Sequence, residues 1–174
     1  MNTKLNWKCV IAGLTMLFSL QAVNATTIDI GNLTSYANGY TNATVTPVGA
    51  FTDYYNFTLP TLSNLGGTVQ NAPLSLSFSF LNTTYTMSYN TGSLSMTLLQ
   101  GGNPITNPGT SISLSNLTSG LYSFKITGNG IGTNGGSYAF GAFAAPVPEP
   151  STWAMMLGGL GLIGFMTYRR RQYL

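Results

Sequence analysis

The stretch Phe51-Thr52-Asp53-Tyr54-Tyr55-Asn56-Phe57-Thr58-Leu59 decides the fold. Successive side chains of an extended chain point to opposite faces, so Phe51, Asp53, Tyr55, Phe57 and Leu59 share one face, while Thr52, Tyr54, Asn56 and Thr58 share the other. The first face is apolar and aromatic apart from one carboxylate. An isolated buried carboxylate is costly, so Asp53 is expected to accept hydrogen bonds from backbone N–H groups, a Tyr hydroxyl or a cation.

Working outward, the same two-residue period recurs. Leu74, Leu76, Phe78 and Phe80 alternate with Ser75, Ser77 and Ser79, and further rows follow at Leu94/Met96/Leu98, Ile112/Leu114, Tyr122/Phe124/Ile126 and Tyr138/Phe140. Alternation with Ser and Thr on the second face reads as half-buried antiparallel strands. Gly, Asn and Pro clusters such as Asn90-Thr91-Gly92, Gly101-Gly102-Asn103-Pro104 and Asn134-Gly135-Gly136 separate them as turns. The expectation is all-β, a single antiparallel β-sandwich of jelly-roll type with seven or eight short strands over residues 26–145. Lys125 sits between inward-facing Phe124 and Ile126, so it points out and is a poor partner for Asp53.

Charge narrows the chemistry. The 174 residues include six Lys/Arg, three Asp/Glu and no His, 5% charged in all, against about 25% in ordinary domains. Without His there is no Ser-His-Asp or Cys-His arrangement and no His-based metal site. Residues 26–147 keep only Asp29, Asp53 and Lys125, one positive charge against two negative. The net +3 of the chain therefore belongs to its ends, and nucleic-acid binding is not expected. Calcium takes six to eight oxygens, usually several from carboxylates. With two carboxylates in the domain, no metal, no cofactor and no enzymatic activity are expected.

Both ends read as addresses. Lys4 and Lys8 precede an apolar run at 9–20, after which Val23 and Ala25 occupy the −3 and −1 positions of a cleavage site. This is the order of a secretory signal peptide over residues 1–25, entered as a helix and then removed. Cys9, the one cysteine, lies inside it, so the mature fold rests on its core without disulfides. At the other end Val147-Pro148-Glu149-Pro150-Ser151 precedes an apolar stretch at 153–168, closed by Arg169, Arg170 and Arg171. A helix over that stretch is about 24 Å long, slightly under the ~30 Å hydrocarbon core. The expectation is a C-terminal transmembrane helix in contact with membrane lipid, with Trp153 and Tyr168 at the two interfaces and the arginines on the cytoplasmic side.

The C-terminal end resembles the PEP-CTERM sorting signal of Gram-negative bacteria: a Pro-Glu-Pro motif, a short hydrophobic helix and a basic tail, here over 146–172. The resemblance implies that Val147, Pro148, Glu149 and Pro150 form the recognition segment for exosortase, a transpeptidase-like membrane protease, and that this chain is its substrate. Phe51-x-Asp53-x-Tyr55, followed by Phe57, resembles the Phe-x-Asp-x-Phe family of PEP-CTERM proteins, with Tyr55 in place of the second Phe. The order of this motif, Gly120-x-Tyr122 and Gly136-Ser-Tyr138-Ala-Phe140 is also similar to bacterial pre-peptidase C-terminal β-sandwiches. The resemblance implies an exported, non-enzymatic envelope or matrix protein associated with exopolysaccharide. It would be tethered at the inner membrane before processing and found at the outer surface or in the extracellular matrix afterwards. A carbohydrate-binding module displayed at the surface is the alternative, with Tyr36, Tyr40, Tyr54 and Tyr89 as candidate stacking residues. Five Asn-x-Ser/Thr sequons, at Asn32, Asn42, Asn56, Asn82 and Asn116, are candidate glycan positions.

Overall fold

Strands form wherever the sequence alternates. They are β1 (Ala25–Asn32), β2 (Tyr40–Thr46), β3 (Gly49–Leu59), β4 (Ser63–Asn71), β5 (Leu74–Phe80), β6 (Thr83–Tyr89), β7 (Thr91–Gln100), β8 (Asn103–Pro104), β9 (Ser111–Leu117), β10 (Gly120–Gly130) and β11 (Gly136–Pro146), followed by the helix α1 (Pro150–Arg171). The structure is a computed structural model that describes residues 25–148 and 150–171. The segment expected to be a signal peptide, with Val23, and Glu149 of the Pro-Glu-Pro motif lie outside the described residues. More strands form than the sequence pattern predicts, because β1, β2 and β6 are Thr- and Asn-rich and β8 has two residues.

Two sheets make the sandwich, in the orders β1-β3-β10-β7-β8 and β2-β11-β4-β9. The chain steps directly from one sheet to the other between β1 and β2, β2 and β3, β3 and β4, β8 and β9, β9 and β10, and β10 and β11. Pairing is antiparallel except at one edge, where β1 runs parallel to β3 with Thr26 opposite Asp53. The antiparallel sandwich expected from the alternation is present, with this one parallel edge pair added to it. The intervening β2 lies in the other sheet, so the chain re-enters the first sheet in the same direction instead of turning back as a hairpin.

Register lines up the inward rows. Asp53, Tyr55 and Phe57 of β3 face Ile126, Phe124 and Tyr122 of β10, and β10 in turn sets Ile126 and Phe124 against Met96 and Leu98 of β7. From the opposing sheet come Leu65 and Val69 of β4 and Tyr138, Phe140 and Ala142 of β11, all buried. Aromatic rings close the space between the layers: Tyr55 and Phe140 have centroids 4.4 Å apart, Phe124 and Phe140 5.3 Å, and Phe51 stacks on Tyr138 at 5.5 Å. Gly67 makes room for them, since a Cβ there would lie 2.9 Å from the Phe124 ring.

Two expectations fail against this frame. The row Leu74/Leu76/Phe78/Phe80 is not half-buried. Strands β5 and β6 pair with each other as a separate two-stranded sheet, and every residue of β5 is exposed. The second concerns α1. No helix among the described residues is long and apolar enough to cross a membrane, which corrects the expected transmembrane helix at 153–168. The helix forms, but Ser151, Thr152, Thr167 and four glycines (Gly158, Gly159, Gly161, Gly164) dilute its apolar surface.

Candidate functional site

Asp53 lies at the centre of a polar chain that crosses the core. Its side chain is buried among rings, and both carboxylate oxygens are occupied. Oδ1 accepts the backbone N–H of Thr26 at 3.0 Å. Oδ2 accepts the hydroxyl of Tyr138 at 2.6 Å, short enough for a charge-assisted bond. The hydroxyl of Tyr138 has one proton and Asp53 takes it, so the 3.0 Å contact between the Tyr55 and Tyr138 hydroxyls is donated by Tyr55. Tyr55 is then left to accept, from Thr44 Oγ1 at 3.0 Å and Asn42 Nδ2 at 3.2 Å. Every proton in the series thus points toward Asp53, from β2 through β3 and β11 to the carboxylate.

Burial, reinforced by the hydrogen bonds to Asp53 and Tyr55, pushes the Tyr138 hydroxyl far above the usual tyrosine range. Burial also raises Tyr40, with smaller contributions from Tyr55 and Tyr36. This cluster is built to hold a proton in place, not to transfer it at neutral pH. Lys125 is on the outward face of β10, opposite Tyr54 of β3 and Thr97 of β7. Asp29 accepts the Gly31 N–H at 2.9 Å within β1, where the register with β3 shifts. Among the described residues no group of three or more His, Cys, Asp or Glu is gathered to hold a metal.

The residues Phe51, Asp53, Tyr55 and Phe57, expected from the resemblance to form one structural motif, are brought together as one buried row. The candidate sugar-stacking tyrosines are not. Tyr36 donates its hydroxyl to the Ile30 carbonyl at 3.2 Å and packs edge-on against Tyr40, and Tyr40 in turn contacts Tyr55 and Phe140. Tyr54 and Tyr89 are half-buried on separate strands. Two sequon asparagines are already engaged: Asn32 caps the 3-10 turn Leu33–Ser35 through the Thr34 N–H, and Asn42 donates to Tyr55.

The second functional element is the tail. Strand β11 ends at Pro146, paired with Ser63, and the N–H of Val147 donates to the Leu62 carbonyl at 2.9 Å. The chain is thus held to the sandwich up to Val147 and released at Pro148. Pro150 opens α1, where its fixed φ and missing N–H suit the first helical turn. Trp153, Tyr168, Arg169 and Arg170 are exposed along this helix, and Arg171 ends it. Ala25 lies at the start of β1, opposite Thr52. Sequence reasoning missed Thr26, Asn42 and Thr44 as members of the polar chain. It also missed Leu62, whose carbonyl fixes where the tail leaves; that contact depends on register and carries no sequence signal.

Residues 146–171 match the PEP-CTERM protein-sorting motif. No curated protein matches the chain. Among solved structures, the chain is similar to the PliG periplasmic inhibitor of g-type lysozyme from Aeromonas hydrophila, at 9% identity and a TM-score of 0.46 over 70% of this chain and 97% of that one. It is also similar to the pre-peptidase C-terminal domain of Bacillus anthracis collagenase, at 16% identity and a TM-score of 0.39 over 67% and 93%. The Salmonella Typhimurium PliG inhibitor is similar at 12% identity and a TM-score of 0.41, over 69% and 99%.

Proposed function

We propose that this chain, whose C-terminus carries the PEP-CTERM sorting motif of exported exosortase substrates, is a non-enzymatic protein of the cell envelope or extracellular matrix. Three segments divide the work: a removable signal peptide at 1–25, a β-sandwich at 26–145 and the sorting signal at 146–172. The observation that carries this reading is the placement of the motif. Val147 is pinned to Leu62, so the Pro-Glu-Pro segment begins where the folded domain ends, with helix α1 directly behind it. Proline disfavours helix at the residue before it, so the sequence Pro148-Glu149-Pro150 suits recognition in extended form by a membrane protease.

The sandwich contributes a surface nearly free of charge and rich in Ser, Thr and Asn. Hydrogen bonding to hydrated exopolysaccharide suits such a surface better than ion pairing with a charged partner. The test is fractionation of cells producing the variant Pro148→Ala/Glu149→Ala/Pro150→Ala. The variant is expected to accumulate unprocessed with the inner membrane and to be depleted from the surface and matrix fractions. Distribution and C-terminal mass identical to wild type would overturn the proposal.

A further inference from the structure

Strands β5 and β6 form a hairpin whose apolar face no other described residue covers. Leu74, Leu76, Phe78 and Phe80 are 45, 46, 51 and 64% exposed, Tyr85 is 48% exposed and Leu81 at the tip 74%. Phe78 stacks on Tyr85 at 5.3 Å, within one interplanar tilt of 16°. The other face is locked by hydroxyl pairs across the strands, Ser77 with Thr86 at 3.2 Å and Ser79 with Thr84 at 3.0 Å. The apolar face is therefore presented in fixed register, and little order has to be gained on docking. Six large side chains about half exposed leave roughly 600 Å² of apolar surface, at the upper limit of what a monomer shows. A stable interface needs about 800 Å² from each partner.

The structure assigns this face to a second copy of the same chain. The exposed area comes close to what a dimer requires. Residues 74–89 contain no charged side chain, so two copies meet without repulsion, and there is no cation to engage lipid headgroups. The tip adds a second sign. Leu81 and Asn82 both have positive φ, 48° and 63°, and a leucine held there is strained. An exposed apolar residue kept in a costly conformation marks a contact surface.

The experiment uses the full chain carrying Cys9→Ser, studied by sedimentation velocity in mild detergent and by disulfide trapping. Wild type is expected to be dimeric. Leu76→Ser/Phe78→Ser is expected to raise the dimer dissociation constant about a hundredfold or more with its circular dichroism unchanged. Leu76→Cys on the apolar face should trap a covalent dimer, and Ser77→Cys on the hydroxyl face should not. A wild type that stays monomeric, or a double variant that stays dimeric, overturns the assignment. So does a double variant that loses binding to phospholipid vesicles with sedimentation unchanged, which would make lipid the occupant.

A separate observation concerns Thr26. We infer that removal of the signal peptide turns its contact with Asp53 into an ion pair. Hydrolysis of the Ala25–Thr26 peptide bond by a signal peptidase consumes one water; the hydroxyl goes to the Ala25 carboxyl, and the Thr26 nitrogen becomes an amine that is protonated at neutral pH. That nitrogen is already 3.0 Å from Asp53 Oδ1. Around it the titratable groups are Asp53 and Tyr55 of β3 and Tyr138 of β11, while Lys125 of β10 faces the other side of the sheet. The buried carboxylate of the aromatic row thus becomes the receptor of the new N-terminus, and folding is reinforced by maturation.

This inference rests on Val23 and Ala25 marking the cleavage site, and its two parts are tested separately. N-terminal sequencing of the exported protein should begin at Thr26; any other start overturns it. The chain beginning at Thr26 is then melted with its amine free and acetylated. Pairing raises the pKa of the amine in the folded state, so its stabilisation is full below the unfolded value of about 8 and is lost as pH rises through the folded value. Acetylation should lower the melting midpoint by about 3–6 °C at pH 6.5, less at alkaline pH, and not at all in Asp53→Asn. Equal midpoints at pH 6.5, or the same acetylation effect in Asp53→Asn, would refute the ion pair.

Discussion

Asp53 shows how one residue can organise polar contacts across two sheets. Tyr138 gives it a charge-assisted hydrogen bond in a ring-lined interior, so Tyr138→Phe removes a donor while keeping the packing. The expected cost is about 1.5–3 kcal/mol at neutral pH, measured by urea denaturation against wild type. The alkaline limb of stability carries a second prediction. Native Tyr138 keeps its proton well above the usual range, whereas the unfolded chain releases it near pH 10. Above that point the unfolded state binds fewer protons than the native state, so stability falls as pH rises. In Tyr138→Phe this contribution disappears, and the slope of unfolding free energy against pH above 10 should be shallower. The sequence shows that Asp53 needs donors, because burying a lone carboxylate is expensive. It does not show which tyrosine supplies one: Tyr138 is 85 residues away, and only the packing of β11 over β3 selects it.

Strands β3 and β5 show where alternation informs and where it misleads. Both alternate strictly, and the period identifies both as strands with one apolar face. What covers that face is a property of topology. Strand β3 lies inside its sheet, between β1 and β10, and faces β11, whereas β5 pairs with β6 outside the sandwich. The helical tail was legible in the same partial way, since its length and register of apolar residues predict a helix but its glycines lower the hydropathy. Two substitutions probe these elements. In β4, Gly67→Ala would place a Cβ 2.9 Å from the Phe124 ring; the overpacked core should lose about 1–3 kcal/mol, seen as a lower melting midpoint. In the hairpin, Leu81→Asn suits the positive φ that the turn imposes. It should raise thermal stability slightly while weakening self-association, and separating those two readouts distinguishes a strained contact residue from a structural one.

At the scale of the whole molecule, β4 and β11 lie between two surfaces with different tasks. Their pairing runs from Tyr138 opposite Asn71 to Pro146 opposite Ser63, about 27 Å at 3.3–3.4 Å per residue. The exposed hairpin leaves the chain just after Asn71, and the sorting segment leaves just after Pro146, so the two emerge at opposite ends of the same strand pair. Neither shares a contact residue with the other, and effects at sites this far apart add unless a common element changes. Substitution at Pro148, Glu149 and Pro150 should therefore alter processing and cell fraction while leaving the melting midpoint and sedimentation coefficient of the purified chain unchanged. Leu76→Ser/Phe78→Ser should do the reverse, abolishing self-association with C-terminal processing intact. Combining both sets in one chain tests the separation: if processing in the combined variant departs from that of the sorting variant alone, assembly and sorting are coupled, and the dimer is part of what the membrane protease recognises.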